Sequence, residues 1–322
     1  MQAAALCLRD CATGAAYLDT GRLSETMPPM RVLAPAKINL HLRVGPRRED
    51  GFHSLLSWFV TVGLFDTLTF EAAAPGAPTS MTCDMPGLPC DERNLVMRVA
   101  TALASEIKSA APQRINLAKQ IPSGAGLGGG SADAARTLSA LNQIWKAGRS
   151  AGELSALAAR FGSDLSFFFH APSSICRGRG EIVEPIARPS ASWVMLVLPQ
   201  VEMPTPAVYR KFDAMGLGYE RYITDAPDWA AWSKLSSQEL LPKLVNDLEP
   251  PAFEIAPDLG ALRVRIERLL NRPVRMSGSG SSLFTLYDAE PAAREAAGRI
   301  EREESVKALA VELGPKLTDD IG

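Results

Sequence analysis

The chain has 322 residues, 46% hydrophobic and 22% charged, with a formal net charge of −2. That length accommodates two domains, and the balance of charge predicts no pull toward nucleic acid or an anionic membrane. No apolar run approaches the ~20 residues that span a bilayer, and five cysteines in no zinc-type spacing predict a reduced, cytoplasmic protein. The three histidines are scattered, so no transition-metal site is expected.

In chain order, residues 1–29 carry neither alternation nor a helical face, and read as a disordered extension or as the product of a start codon upstream of Met30. The stretch from Ile38 to Val44 alternates strictly and predicts a strand with Ile38, Leu40, Leu42 and Val44 on one face and Lys37, Asn39, His41 and Arg43 on the other. A charged, turn-rich run to Gly51 leads into an apolar-aromatic run from Phe52 to Phe70, and the whole predicts a long antiparallel β layer. Leu95, Val99, Leu103 and Ile107 predict a helix over 94–107, and Arg114–Gln120 alternates as a half-exposed antiparallel strand. Ser150 and Glu153 form a capping box that opens a helix ending at Gly162. Asp164 follows, between that helix and the apolar run Leu165–Phe169.

A second block starts near residue 190. Trp193–Leu198 predicts a buried strand, Pro204-Thr-Pro206 opens a segment containing Tyr209, and residues 234–270 are mostly helical with a break around 246–251. Val274–Met276 and Leu283–Tyr287 predict two strands joined by a Ser-Gly loop; a helix from Pro291 to about Glu304 and a last strand at Lys307–Leu313 follow. The mixed order predicts an α+β sandwich.

The stretch Pro122-Ser123-Gly124-Ala125-Gly126-Leu127-Gly128-Gly129-Gly130-Ser131-Ala132 carries five glycines in seven positions and runs into a helix marked by Leu138, Leu141 and Trp145. Glycine allows positive φ and close backbone approach, and the free N–H groups of a helix start attract phosphate. By itself such a loop divides evenly between a phosphate site and a tight turn. It spells a dinucleotide fingerprint, yet it follows an alternating strand, and position 149 is Arg where an acid belongs. It ends Gly130-Ser131-Ala132 and so is no Walker A loop. Ser131 reads either as a helix cap or as a ligand of phosphate or Mg²⁺, and Asp164 either as a cap or as a base partnered by Lys37.

With Pro35–Leu40, Pro122–Ala135 and Met276–Ser281 in that order, the chain resembles the GHMP kinases, over about residues 30–315. Glu49–His53, Gly162–Phe167, Arg177–Glu181, Pro204–Pro206 and Asn246–Glu249 resemble the branch that acts on a cytidine diphosphate-linked alcohol. The resemblance implies an α+β, two-domain GHMP kinase fold: a ribosomal-protein-S5-like domain at 30–189, a ferredoxin-like α/β sandwich at 190–315 and a tail at 316–322. It implies ATP with Mg²⁺ as cofactors, residues 122–132 around the phosphates, Ser131 on the metal, and Lys37 and Asp164 as the catalytic pair. It further implies that Phe52 and Tyr209 sandwich the cytosine, His53 reads the base edge and Asn39 touches the alcohol end. A monomer or weak homodimer with a small-molecule substrate follows. Ala132 stands where the family usually has a second serine, Leu165-Ser166 replace Val-Pro, and Phe52 stands where Tyr is common. Another alcohol specificity in the same family, and a non-catalytic ligand sensor on this fold, are the rival readings; the aromatic cluster opposes the first and the Lys37–Asp164 pair the second.

Overall fold

The computed structural model describes residues 28–321 apart from Ser109, so the expectation for residues 1–29 falls almost wholly outside the described residues. The first sheet is built from β1 (Met30–Arg47), β2 (His53–Ala72), β3 (Ser80–Cys83), β4 (Gln113–Ala118), β5 (Ser173–Gly178) and β6 (Ile182–Pro185), with α1 (Leu95–Ser105), α2 (Gly129–Ile144) and α3 (Ala151–Ala159) intervening. Strand β2, 20 residues long, is its spine. It pairs with β1 along its length, with β5 through residues 55–60 and with β4 through residues 67–72, all antiparallel. Only β3 on β4 is parallel.

The second sheet follows with β7 (Trp193–Leu198), β8 (Arg275–Met276), β9 (Leu283–Tyr287) and β10 (Lys307–Glu312), antiparallel in the order β10-β7-β9-β8. Its helices are α4 (Thr205–Ala214), three single turns α5 (Arg221–Thr224), α6 (Trp229–Trp232) and α7 (Ser237–Leu240), then α8 (Glu249–Ile255), α9 (Pro257–Leu270) and α10 (Glu290–Glu304). The α+β architecture is as the sequence predicts. The capping box of Ser150 and Glu153 is present, and Asn94 accepts from Val96 N at the start of α1, a cap of about 1 kcal/mol.

The two sheets share one hydrophobic interior. Ile38, Val60 and Val62 of the first sheet pack in the same cluster as Val194, Leu196 and Phe284 of the second. Residues 315–321 also fold back: Asp319 accepts from Leu33 N and Arg136 at 2.8 and 2.6 Å, and Asp320 accepts from Arg31 N.

Strand β1 departs from the expected alternation. Its register slips between Asn39, opposite Phe59, and His41, opposite Trp58, which leaves Leu40 as an extra residue. A bulge of this kind turns the following side chains to the other face. Ile38 and Leu40 therefore stay between the sheets, while Leu42 and Val44 join a different cluster with Met195, Phe212 and Met276. His41 leaves the polar row of Lys37 and Asn39 and lies edge-on against Trp229 and Trp232. The apolar run after Asp164 forms a 3₁₀ helix, Ser163–Phe169.

Burial of His41, with a smaller contribution from Arg43, lowers its pKa from 6.5 to about 3, and its Nδ1 accepts from Val245 N. The unfolded chain binds that proton below 6.5 and the folded chain does not, so stability falls as pH drops from 6.5 toward 3. The contribution to the slope is at most about 1.4 kcal/mol per pH unit. His41→Gln, which keeps an acceptor for Val245, is expected to flatten the dependence of melting temperature on pH between 6.5 and 4; an unchanged slope places the acid sensitivity elsewhere.

Candidate active site

Helix α2 starts without a side-chain cap. Its capping position is Gly128, with φ +68°, and Ser131 is its third residue. Ser131 is therefore not the helix cap; it is half-buried and lines the cavity beside the loop. Gly128 is required where it stands, because a Cβ there would lie 2.9 Å from Lys37 Cγ. Lys37 threads under the loop: its backbone N–H donates to Leu127 O at 2.9 Å and its side chain is almost wholly buried.

Lys37 Nζ reaches Asp164 Oδ2 at 3.2 Å and Asn39 Oδ1 at 2.8 Å, and lies 4.5 Å above the Phe59 ring. A buried ammonium needs such partners. Asp164 is 36% exposed, so one side of its carboxylate is held and the other is open to a ligand. It sits in the first turn of the 3₁₀ helix after Gly162.

The Ser-Gly loop of residues 277–282 closes over the glycine loop. Ser277 Oγ donates to Gly126 O at 2.9 Å, Ser282 N donates to Ala125 O at 3.1 Å, and Asn39 N donates to Ser277 Oγ at 3.3 Å. The motif Asn246–Glu249 explains its presence here. Asn246 Nδ2 donates to both Met276 O and Gly278 O at 2.8 Å, Glu249 accepts from Met276 N, and Asp247 accepts from Val44 N and Arg43. One four-residue turn thus ties the second loop to β1.

Beneath the first loop lies a cluster that sequence reasoning did not single out. Lys119 Nζ bridges Asp66 and Asp133, and Asp66 also accepts from Gln120 N and Ile121 N at 2.6 and 2.9 Å. Burial, together with the neighbouring Asp66 charge, pushes Asp133 up to about 7. Burial opposes the charge of Lys119, but the two carboxylates outweigh it and its pKa is raised. The cluster fixes where the chain enters the loop. Its only sequence signal is three charged residues at otherwise apolar positions.

Two cavities meet at the pair. One, of about 420 Å³, is walled by residues 122–131 and the Ser-Gly loop; the other, of about 650 Å³, is walled by Phe52, His53, Tyr209 and Asp213. Leu55, Leu95, Ser131, Asp164, Thr205 and Tyr209 line both. The sequence-predicted residues therefore converge, with Asp164 at the junction. Ala132 points away into the core.

Phe52 is 51% exposed at the cavity rim, with the Arg179 guanidinium 4.2 Å above its ring. Tyr209 lies against His53, ring centroids 5.3 Å apart. Both His53 nitrogens are engaged: Nδ1 faces Gly45 O at 2.9 Å and Nε2 faces Asp213 Oδ1 at 3.1 Å. Both partners are acceptors, so whichever ring nitrogen carries the proton donates on its side.

Residues 94–171 match the GHMP kinases N terminal domain. With the two-sheet fold and the paired loops, this defines a small-molecule kinase of the GHMP class. The 4-diphosphocytidyl-2-C-methyl-D-erythritol kinase of Shouchella clausii is 35% identical over 259 residues, 80% of this chain and 86% of its own. That of a Nocardioides species is 37% identical over 277 residues, 82% and 90% of the two chains. A crystal structure of 4-(cytidine 5'-diphospho)-2C-methyl-D-erythritol kinase superposes with a TM-score of 0.73 at 35% identity, covering 89% of this chain and 100% of the other. The chain belongs to the 4-diphosphocytidyl-2-C-methyl-D-erythritol kinase family of GHMP kinases.

The loop contact offers a direct test. A Cβ on Gly126, whose φ is +76°, would lie 2.1 Å from Ser277 O, whereas a Cβ on Gly130 meets nothing within 4 Å. Gly126→Ala is expected to cost at least ~2 kcal/mol of stability in denaturant unfolding and to raise the KM for the phosphate donor. Gly130→Ala should leave stability within about 0.5 kcal/mol of the parent. Equal effects of the two would mean the loops do not interlock.

Proposed function

We propose that the chain transfers the γ-phosphoryl group of ATP to the 2-hydroxyl of 4-diphosphocytidyl-2-C-methyl-D-erythritol, a step of the non-mevalonate route to isoprenoid precursors. The observation that carries this reading is the Lys37–Asp164 pair at the junction of two cavities, one walled by the glycine loop and the other by Phe52, His53 and Tyr209. The donor phosphates fit the first and the cytidine end of the acceptor fits the second. Asn39, hydrogen-bonded to Lys37 and Ser57, faces the alcohol end between them.

Phosphoryl transfer asks mainly for alignment and charge stabilisation. The uncapped N–H groups of α2 and the loop backbone hold the phosphates. Asp164 accepts a hydrogen bond from the 2-hydroxyl, orients it in line with the γ-phosphorus, and takes its proton by the time the new O–P bond has formed and the bond to ADP has broken. Lys37 fixes the direction of the Asp164 carboxylate and places positive charge beside the developing alkoxide.

Among the described residues no group of three or more His, Cys, Asp and Glu side chains could hold a metal ion unaided. This fits Mg²⁺, which is commonly bound through substrate phosphates and few protein oxygens. Ser131, which lines the donor cavity, is the residue that would hold it. When bound with ATP, the ion neutralises charge on the phosphate oxygens. The free thiols of Cys83, Cys90 and Cys176 fit a reducing cytoplasm, and no helix among the described residues is long and apolar enough to cross a membrane. Every group invoked comes from one chain, so a monomer or weak homodimer suffices.

The experiment is ADP release with ATP and Mg²⁺ across a panel of alcohols. The cytidine diphospho alcohol should turn over, while mevalonate, homoserine and galactose should not; comparable turnover of any of these three overturns the assignment. Within the same assay, Asp164→Asn should lower kcat by at least ~10²-fold with the KM for ATP little changed. Near-normal turnover would reduce Asp164 to a structural partner of Lys37.

A further inference from the structure

We infer that the chain carries a second ligand site, remote from the chemistry, that takes a small phosphate ester with an apolar chain. The site lies between α2, α3, the 3₁₀ helix and the last residues of the chain. It is independent of which alcohol the kinase accepts.

Three observations carry it. First, these elements surround a cavity of about 770 Å³, larger than either cavity at the Lys37–Asp164 pair and sharing no lining residue with them. Nothing in the phosphoryl transfer uses it. Second, its charge is one-sided. Arg136, Arg149, Arg188 and Lys316 line it, and among the described residues no Asp or Glu does. Arg136 is balanced from behind by Asp319, and Arg149 by Glu106 and Glu153. Arg188 and Lys316 have no carboxylate partner among the described residues. They come together where the tail begins: Arg188 donates to Gly314 O at 2.6 Å, and the exposed Lys316 follows two residues on. Third, the rest of the wall is apolar, with Leu154 from α3, Phe168 and Phe169 from the 3₁₀ helix, and Leu317 and Ile321 from the tail.

The lining sets the class of ligand. Two unbalanced cations match a phosphate monoester, which carries nearly two negative charges at neutral pH. A guanidinium and an ammonium side by side suit such a head, and Gln143 of α2 adds an amide donor. Free phosphate would leave the apolar wall wet, and an uncharged chain would leave the cations unmet. A ligand with both parts satisfies both walls. One side of the cavity belongs to the tail and the other to α2, α3 and the 3₁₀ helix, so an occupant ties the tail down beside the Asp319–Arg136 contact.

The test is titration calorimetry of the full chain with hexyl phosphate, hexanol and inorganic phosphate, each with and without saturating ADP. Hexyl phosphate should bind at least ~tenfold more tightly than inorganic phosphate, because burying two methylenes already supplies about that factor. It should also bind more tightly than hexanol and keep its affinity when ADP is present. Lys316→Glu should weaken it by ~tenfold or more, with kcat and the KM for ATP unchanged. Hydrogen exchange of residues 315–321 should slow when hexyl phosphate binds. Loss of binding on adding ADP would put the phosphate on the glycine loop. Equal affinity for hexyl and inorganic phosphate would mean the apolar wall makes no contact. Undiminished binding in Lys316→Glu, or unaltered exchange of the tail, would place the ligand elsewhere. Any of these results, or no binding of hexyl phosphate at all, overturns the inference and leaves the kinase assignment standing.

Discussion

The site depends on one close approach of two backbones. At Gly126 the glycine loop comes so near the Ser277 carbonyl that no side chain fits between them. The first loop belongs to the sheet of β1–β6 and the second to the sheet of β7–β10. Their contact is therefore also where the two halves of the molecule meet at the chemistry. Hydrogen bonds from Ser277 and Ser282 fasten it, and Asn246 and Glu249 fasten the second loop from behind. Lys37 is trapped underneath by Gly128 and can only point toward Asp164 and Asn39. A site assembled this way is positioned by backbone, which moves less than side chains do, and this suits a reaction in which alignment matters most.

Much of this was legible in the sequence, because the signals were local. The capping box at Ser150, the period of α1, the alternation of β4 and the proline at the start of α10 each depend on a few neighbouring residues. The glycine loop and Lys37 were legible as chemistry for the same reason. What escaped was set by distant partners. Alternation in β1 gives no sign of the extra residue at Leu40, since the bulge is dictated by how β2 lies opposite. Asn246 reads as a break between helices, and its use as a two-carbonyl clamp appears only when residue 276 is beside it. The Asp66–Lys119–Asp133 cluster draws on three separate elements. His53 was read as a recognition side chain, and its contact with Asp213, 160 positions further on, left no local signal.

The electrostatics of the site follow a single rule: each buried charge is held by groups from more than one element. Lys37 on β1 meets Asp164 from the 3₁₀ helix; Lys119 meets carboxylates from β2 and α2; Glu249 meets Arg263 and Arg275 as well as a backbone N–H. Breaking such a pair costs far more than forming it contributes, because the survivor is left unsolvated. The pairs therefore act less as sources of stability than as checks that the elements have arrived in register.

The docking of Asp319 on Arg136 and on Leu33 N has a consequence for how the chain is made. Arg136 lies on the helix that carries the glycine loop, and its partner lies 183 residues downstream. At ~5–20 residues per second a ribosome needs roughly 10–40 s to cover that distance. During that interval the first sheet can form, but the guanidinium at its edge has no carboxylate to meet and the edge of β1 lacks its last two acceptors. Residues 319 and 320 thus complete a structure begun with the first strand, and the phosphate-loop helix gains this ion pair only after the second sheet has been made.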